Sequence, residues 1–151
     1  MRKLALGVIG AGGIARRKTI PGILSAKNCD LRAVMDVVDV DDIAKEFRVS
    51  KAYRTVDAIL SDPEIEAVYI ASPVFHHHDQ VVAAAKQKKH ILCEKPLGRT
   101  VAEAEKIVAS CKSHDVYLQE GYMMTFHGAH RKIREIIDSG ALGKIVFMRG
   151  Q

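Results

Sequence analysis

Apolar and polar positions along the chain fall into alternating blocks. Compact apolar runs near 4–9, 31–36, 67–71, 90–93 and 116–119 predict strands. The intervening stretches near 13–25, 40–47, 56–61, 76–88, 101–113 and 128–138 predict helices. Ala67-Val68-Tyr69-Ile70-Ala71 is apolar at successive positions, so that strand is expected to be buried on both faces, as in a parallel sheet. Strand and helix in alternation imply crossovers, hence an α/β, doubly wound, mostly parallel sheet.

Several helix ends are readable. Thr100 followed by Glu103 is a capping box, and Val101, Ala104, Val108 and Cys111 then make one stripe expected to be buried. Ala129, Ile133, Ile136 and Ile137 make a second stripe, which Ser139-Gly140 closes. Pro21 is expected to end or kink the first helix early. The tail from Lys144 to Arg149 reads as the start of a strand with no partner.

Composition narrows the picture. A chain of 151 residues with 48% hydrophobic content suits one globular core. No apolar stretch approaches the roughly 20 residues that span a bilayer. Met1-Arg2-Lys3 mimics a signal peptide, but glycines and charge from Gly10 to Arg17 interrupt it, and the cytoplasm is expected. Cys29, Cys93 and Cys111 lie far apart and read as reduced thiols. The net charge of +5 is scattered and only 5% of residues are aromatic, which argues against nucleic acid as a partner.

Chemistry enters at the first strand. Gly10-Ala11-Gly12-Gly13-Ile14-Ala15 follows an apolar run and opens a helix. Such a turn lets a backbone approach a pyrophosphate, with the third position kept small so that helix and strand pack closely. Asp36 ends the second predicted strand and follows Ala15 by 21 residues. Dinucleotide sites place an acid about 20 residues on, against the adenosine ribose. No Arg or Lys occupies 37–40, so the pattern favours NAD over NADP. Asp36 can also be read as a cap of the next turn.

Two more loops should share that edge of the sheet. Ser72-Pro73-Val74 follows the third predicted strand, and Glu94-Lys95-Pro96 follows the fourth. In open α/β sheets the crevice at the strand C-termini takes the ligand, and a Lys beside a Glu there can have tuned acidity. His76, His77 and His78 are consecutive and point in different directions, so no metal site is read from them. A methyl transferase would share the glycine turn and the acid but has no call for Glu94-Lys95-Pro96.

These segments resemble the glucose–fructose oxidoreductase, inositol dehydrogenase and MocA (Gfo/Idh/MocA) family. Ser72-Pro73-Val74 with His77, and Lys88-Lys89-His90 leading to Glu94-Lys95-Pro96, match its pattern. Val74 stands where the family commonly has Asn, and Thr125-Phe126-His127-Gly128 where it often has Arg-Phe-x-Pro. The resemblance implies a Rossmann domain in which Gly10, Gly12, Gly13 and Ile14 cradle the pyrophosphate and Asp36 holds the ribose. Ser72, Pro73 and His77 would line the cofactor's path, and Glu94 would sit near the nicotinamide. Lys95 would be the catalytic residue, reaching the substrate hydroxyl, and the bond before Pro96 would be cis.

The resemblance also implies a second, antiparallel-sheet domain that this chain lacks. Residues 1–125 would be the dinucleotide-binding domain. Residues 126–151 would be a junction helix and the first strand of that second domain. The expected function is the cofactor half of an oxidoreductase acting on a sugar, polyol or related hydroxyl or carbonyl compound, inactive alone. The alternative is a non-catalytic dinucleotide-binding or sensor module. Expected partners are the dinucleotide, a small-molecule substrate and a second copy through the apolar tail; no membrane and no metal are expected.

Overall fold

The computed structural model describes residues 2–149. Its backbone divides between Gly121 and Tyr122 into two compact units. In the first, β1 (Leu4–Ile9), β2 (Cys29–Met35), β3 (Lys51–Tyr53), β4 (Ala67–Ile70), β5 (His90–Cys93) and β6 (Leu118–Glu120) form one sheet. Its order is β3-β2-β1-β4-β5-β6, and every neighbouring pair is parallel. The helices between them are α1 (Ile20–Ser25), α2 (Val40–Phe47), α3 (Val56–Leu60), α4 (His77–Lys86) and α5 (Val101–Ser113).

The core lies on both faces of this sheet, and strand periodicity divides it. Along β4, Val68 and Ile70 pack on one face with Ile9, Ile59, Val81 and Ile107. Ala67 and Tyr69 pack on the other with Val8, Ala15, Ile20 and Val34. All four β4 residues are buried, which explains the continuous apolar run.

The structure departs from the sequence reading at several points. Pro21 does not stop the first helix early. The chain widens into a π turn over Ala15–Thr19, and α1 then starts with Pro21 in its first turn, where a missing N–H costs no helical bond. The buried stripe of α5 is also displaced: Ile107 and Cys111 are buried, whereas Val101 and Val108 are exposed. The capping box forms only in part. Thr100 Oγ accepts from the Glu103 amide at 3.2 Å, but Glu103 turns back to the Arg99 amide and guanidinium. Finally, β3 was not foreseen; three residues between polar neighbours become a strand by pairing with β2.

A polar network joins β3 to the segments that lead into β4 and β5. Asp62, buried, accepts from Lys51 Nζ at 2.8 Å, Tyr53 Oη at 3.0 Å and the Glu64 amide at 2.9 Å. Buried Lys89 donates to the carbonyls of Asp62 and Ile65, both at 2.8 Å. Burial pulls the Lys89 ammonium below its usual range, with Asp62 acting the other way. Burial pushes the Asp62 carboxyl up, but the hydrogen bonds from Lys51, Glu64 and Tyr53 outweigh it and leave it below the usual carboxylate range.

The thiols differ in setting. Cys93 and Cys111 are buried and Cys29, the first residue of β2, is partly exposed. Burial pushes the Cys93 thiol up to about 12 and raises that of Cys111.

The second unit holds a 3-10 turn (Met123–Phe126) and α6 (Gly128–Asp138). Gly140, at φ +72°, follows the end of α6, as the sequence predicts. Ile133 and Ile136 on the predicted stripe are exposed. Residues 145–149 form no strand, contrary to expectation, because no neighbouring strand supplies a ladder. No helix among the described residues is long and apolar enough to cross a membrane.

Candidate cofactor cleft and the Glu94–Lys95 loop

The sheet order reverses between β1 and β4, so crossovers leave those strands toward opposite faces and a crevice opens at their C-terminal ends. The backbone fills that point tightly. Gly10 has φ +76°, and its amide and that of Ala11 both donate to the Met35 carbonyl, at 2.9 and 3.1 Å. A Cβ at Gly10 would stand 2.6 Å from the Ser72 amide nitrogen. Only glycine lets the β1 turn and the β4 loop lie this close. Ala11 and Ala15 are fully buried, which is the small-residue packing the third motif position calls for.

Asp36 ties β2 to this turn. Its Oδ2 accepts from the Gly12 amide at 2.8 Å and its Oδ1 from the Val38 amide at 3.1 Å. The carboxylate thus forms a local turn and stands beside the glycines. The Gly12 amide is occupied by Asp36, so Gly12 contributes close approach rather than a free donor. A Cβ on Gly13, at φ +47°, would meet no heavy atom within 4 Å. That open space beside the start of a helical run fits a pyrophosphate.

A cavity of about 870 Å³ extends from these residues. Gly10, Gly12, Gly13 and Asp36 line it together with Ser72 and Pro73. Sequence reasoning missed its other walls: Val37 after β2, Val56 and Asp57 at the start of α3, and His76, Asp79 and Gln80 around the start of α4. Thr55 caps α3 by accepting from the Ala58 amide at 3.3 Å. This Thr-x-x-Ala start, just after β3, is the signal that could have placed Asp57 at the strand ends. Three carboxylates, Asp36, Asp57 and Asp79, line the cleft, and no Lys or Arg does among the described residues.

Ile14, His77, Glu94 and Lys95 do not line this cavity. His77 is 1% exposed, so it braces the loops and does not present a face to a ligand. Its Nε2 lies 2.8 Å from the Ser72 carbonyl oxygen and its Nδ1 lies 2.9 Å from that of Pro96. One ring thus joins the loop after β4 to the loop after β5. Ser72 Oγ is further held by Gln80 Oε1.

The loop after β5 carries the remaining predicted groups. The Lys95–Pro96 peptide is cis, as the resemblance implies, and the Lys95 side chain is exposed. Glu94 Oε1 accepts from Tyr69 Oη at 2.6 Å, and Oε2 accepts from the Lys95 amide at 3.1 Å. Tyr69 Oη in turn accepts from Thr19 Oγ at 3.0 Å. Burial and then the Glu94 carboxylate push the Tyr69 phenol far above its ordinary value, so it stays a donor at neutral pH.

Parallel strands in this order, a glycine turn and an acid at the end of β2 define a dinucleotide-binding Rossmann domain. Residues 4–122 match the Gfo/Idh/MocA family model, an oxidoreductase family with an NAD-binding Rossmann fold, and the chain belongs to that family. It is 35% identical over 152 residues to an uncharacterized oxidoreductase of Rhizobium meliloti, covering 99% of this chain and 46% of that protein. It is 32% identical over 149 residues to a myo-inositol 2-dehydrogenase of Thermotoga maritima, covering 93% and 42%. Among solved structures, scyllo-inositol dehydrogenase from Lactobacillus casei with bound NAD(H) and scyllo-inositol superposes with a TM-score of 0.89 at 26% identity, covering 95% of this chain and 43% of that one. A 3-ketoreductase from Actinomadura kijaniata in complex with NADP and TDP-benzene gives 0.87 at 26%, covering 95% and 45%. The chain spans about half the length of the curated relatives it matches.

Proposed function

We propose that the cleft binds NAD(H) in preference to NADP(H). On this reading the chain is the cofactor-binding part of an oxidoreductase acting on a sugar, polyol or related hydroxyl or carbonyl compound. The observation that carries the cofactor preference is the Asp36 carboxylate, hydrogen-bonded to the Gly12 amide in a cleft lined by three carboxylates and, among the described residues, by no Lys or Arg. Its remaining lone pairs suit ribose hydroxyls, and a 2′-phosphate there would meet like charge. The relatives named for inositols support the substrate class.

The residues divide the work by position. Gly13, at the start of the helical run, receives the pyrophosphate, with the Ile14 backbone just beyond the cavity lining. Ser72 and Pro73 form the floor between the two central strands. Glu94 stands toward the nicotinamide end. Lys95 holds a proton at Nζ and exchanges it with the substrate oxygen, its positive charge stabilising a developing alkoxide. The nicotinamide, when bound, supplies or takes the hydride. Alone, the 151-residue chain is expected to bind the cofactor and turn over little or no substrate.

Titration of the purified chain with NADH and NADPH, followed by nicotinamide fluorescence, tests this. Saturable binding with NADH tighter is the expected result. Equal or tighter binding of NADPH removes the assigned role of Asp36, and no binding of either removes the cofactor reading.

A further inference from the structure

We propose that Thr19 and Tyr69 are positioning residues for the Glu94–Lys95 loop, joined to it by a directed chain of hydrogen bonds. The proposal rests on the reading that this loop stands at the reacting end of the cofactor site. The chain runs from Thr19 Oγ to Tyr69 Oη at 3.0 Å, then to Glu94 Oε1 at 2.6 Å, while Glu94 Oε2 takes the Lys95 amide at 3.1 Å. Each hydroxyl donates forward, so the direction is set by the carboxylate, which can only accept while ionised. Bonds to an ionised acceptor are the shorter and stronger kind, which agrees with the 2.6 Å distance.

Packing alone does not call for this arrangement. The other β4 residues are Ala67, Val68 and Ile70, and a phenylalanine ring would fill the same space as Tyr69, which is 2% exposed. Burying a hydroxyl there has a desolvation cost unless it is partnered. Here it is partnered on both sides, by residues 50 and 25 positions away in sequence. Thr19 ends the π turn that follows the glycine turn, and single π turns inside helices are frequent at functional sites. The same helical run that begins at the pyrophosphate position thus reaches the loop carrying Lys95.

The test uses the full chain and isosteric changes. The ¹³C resonance of the Glu94 carboxyl and the amide resonance of Lys95 are followed in Thr19→Val, Thr19→Ser, Tyr69→Phe and the Thr19→Val/Tyr69→Phe double variant. Thr19→Val should move both resonances, Thr19→Ser should leave them in place, and Thr19→Val should move nothing further once Tyr69 is Phe. Resonances unmoved by Thr19→Val, or moved equally with and without the Tyr69 hydroxyl, overturn the proposal. Because Thr19→Val keeps the phenol, the test stands even if Tyr69→Phe fails to fold. In binding, Tyr69→Phe should weaken NADH about two- to tenfold, the equivalent of one hydrogen bond, with ADP-ribose affinity unchanged. The underlying reading is judged separately by Glu94→Gln. If that change affects NADH and ADP-ribose equally, Glu94 is not at the nicotinamide end, and the resonances alone then decide whether the positioning chain exists.

Discussion

The two ends of the sheet hold polar residues in opposite ways. Near the N-terminal ends of β3, β4 and β5, Asp62, Lys51, Lys89 and the hydroxyl of Tyr53 satisfy one another and the nearby backbone. At the C-terminal ends, Asp36, Asp57 and Asp79 border an open cavity with no cation among its described lining residues. The first arrangement lowers the energy of the folded chain by pairing. The second leaves accepting capacity on display, which is useful only to something that arrives with donors. The difference separates polar residues that are satisfied within the fold from polar residues left open to solvent, without reference to any motif.

Four changes would break or sharpen that contrast. The largest effect is expected from Gly10→Ala. Left-handed strain and the clash with the Ser72 amide should together remove about 2–4 kcal/mol of stability, read by urea unfolding, and abolish saturable NADH binding. Asp62→Ala should remove about 2–3 kcal/mol, because Lys51 and Tyr53 lose a buried partner, yet leave the NADH dissociation constant within about twofold. If that change harms binding as much as stability, the division between the two ends is wrong.

Asp36→Ala should do the reverse. NADH should bind about tenfold more weakly, the preference over NADPH should narrow, and stability should fall by only about 1 kcal/mol, since the two amides it accepts from lie at a wet edge. The smallest effect is one of pH. Asp62 is held below its ordinary value, so its contribution is complete above about pH 4, where the unfolded carboxyl ionises, and is lost as pH falls through the lower folded value. Acid unfolding of Asp62→Asn should therefore depend less steeply on pH below about 4 than that of the parent chain.

What was legible in the sequence follows the range of the forces involved. The first glycine turn, Asp36 and Ser72-Pro73 were readable because each sits directly after a strongly apolar strand. β3 was not, since Lys-Ala-Tyr carries no alternation and becomes a strand only beside β2. Without β3 there was no reason to bring Val56 and Asp57 to the cleft. On α5, the choice of Val101 and Val108 over Ile107 was a phase error of one position: hydrophobicity marks an amphipathic helix, but docking against the sheet fixes its rotation. His77 is expected along the cofactor's path, and in the structure it is buried and does not line the cavity. The spacing places it on the right loops, and only the tertiary structure shows both ring nitrogens already engaged by carbonyls. The Thr19–Tyr69–Glu94 chain had no signal at all in the sequence, because the π turn that ends at Thr19 has no composition of its own.

The uneven burial of the three thiols gives this chain a ready-made attachment point. An alkylating dye applied at neutral pH meets Cys93 and Cys111 as buried, protonated sulfurs and finds Cys29 as the accessible one. Cys29 opens the strand whose other end leads into Asp36. A fluorophore there would sit at the opposite end of β2 from Asp36, a full strand length away. The unaltered chain could thus be labelled at one place, away from the residues that line the cavity.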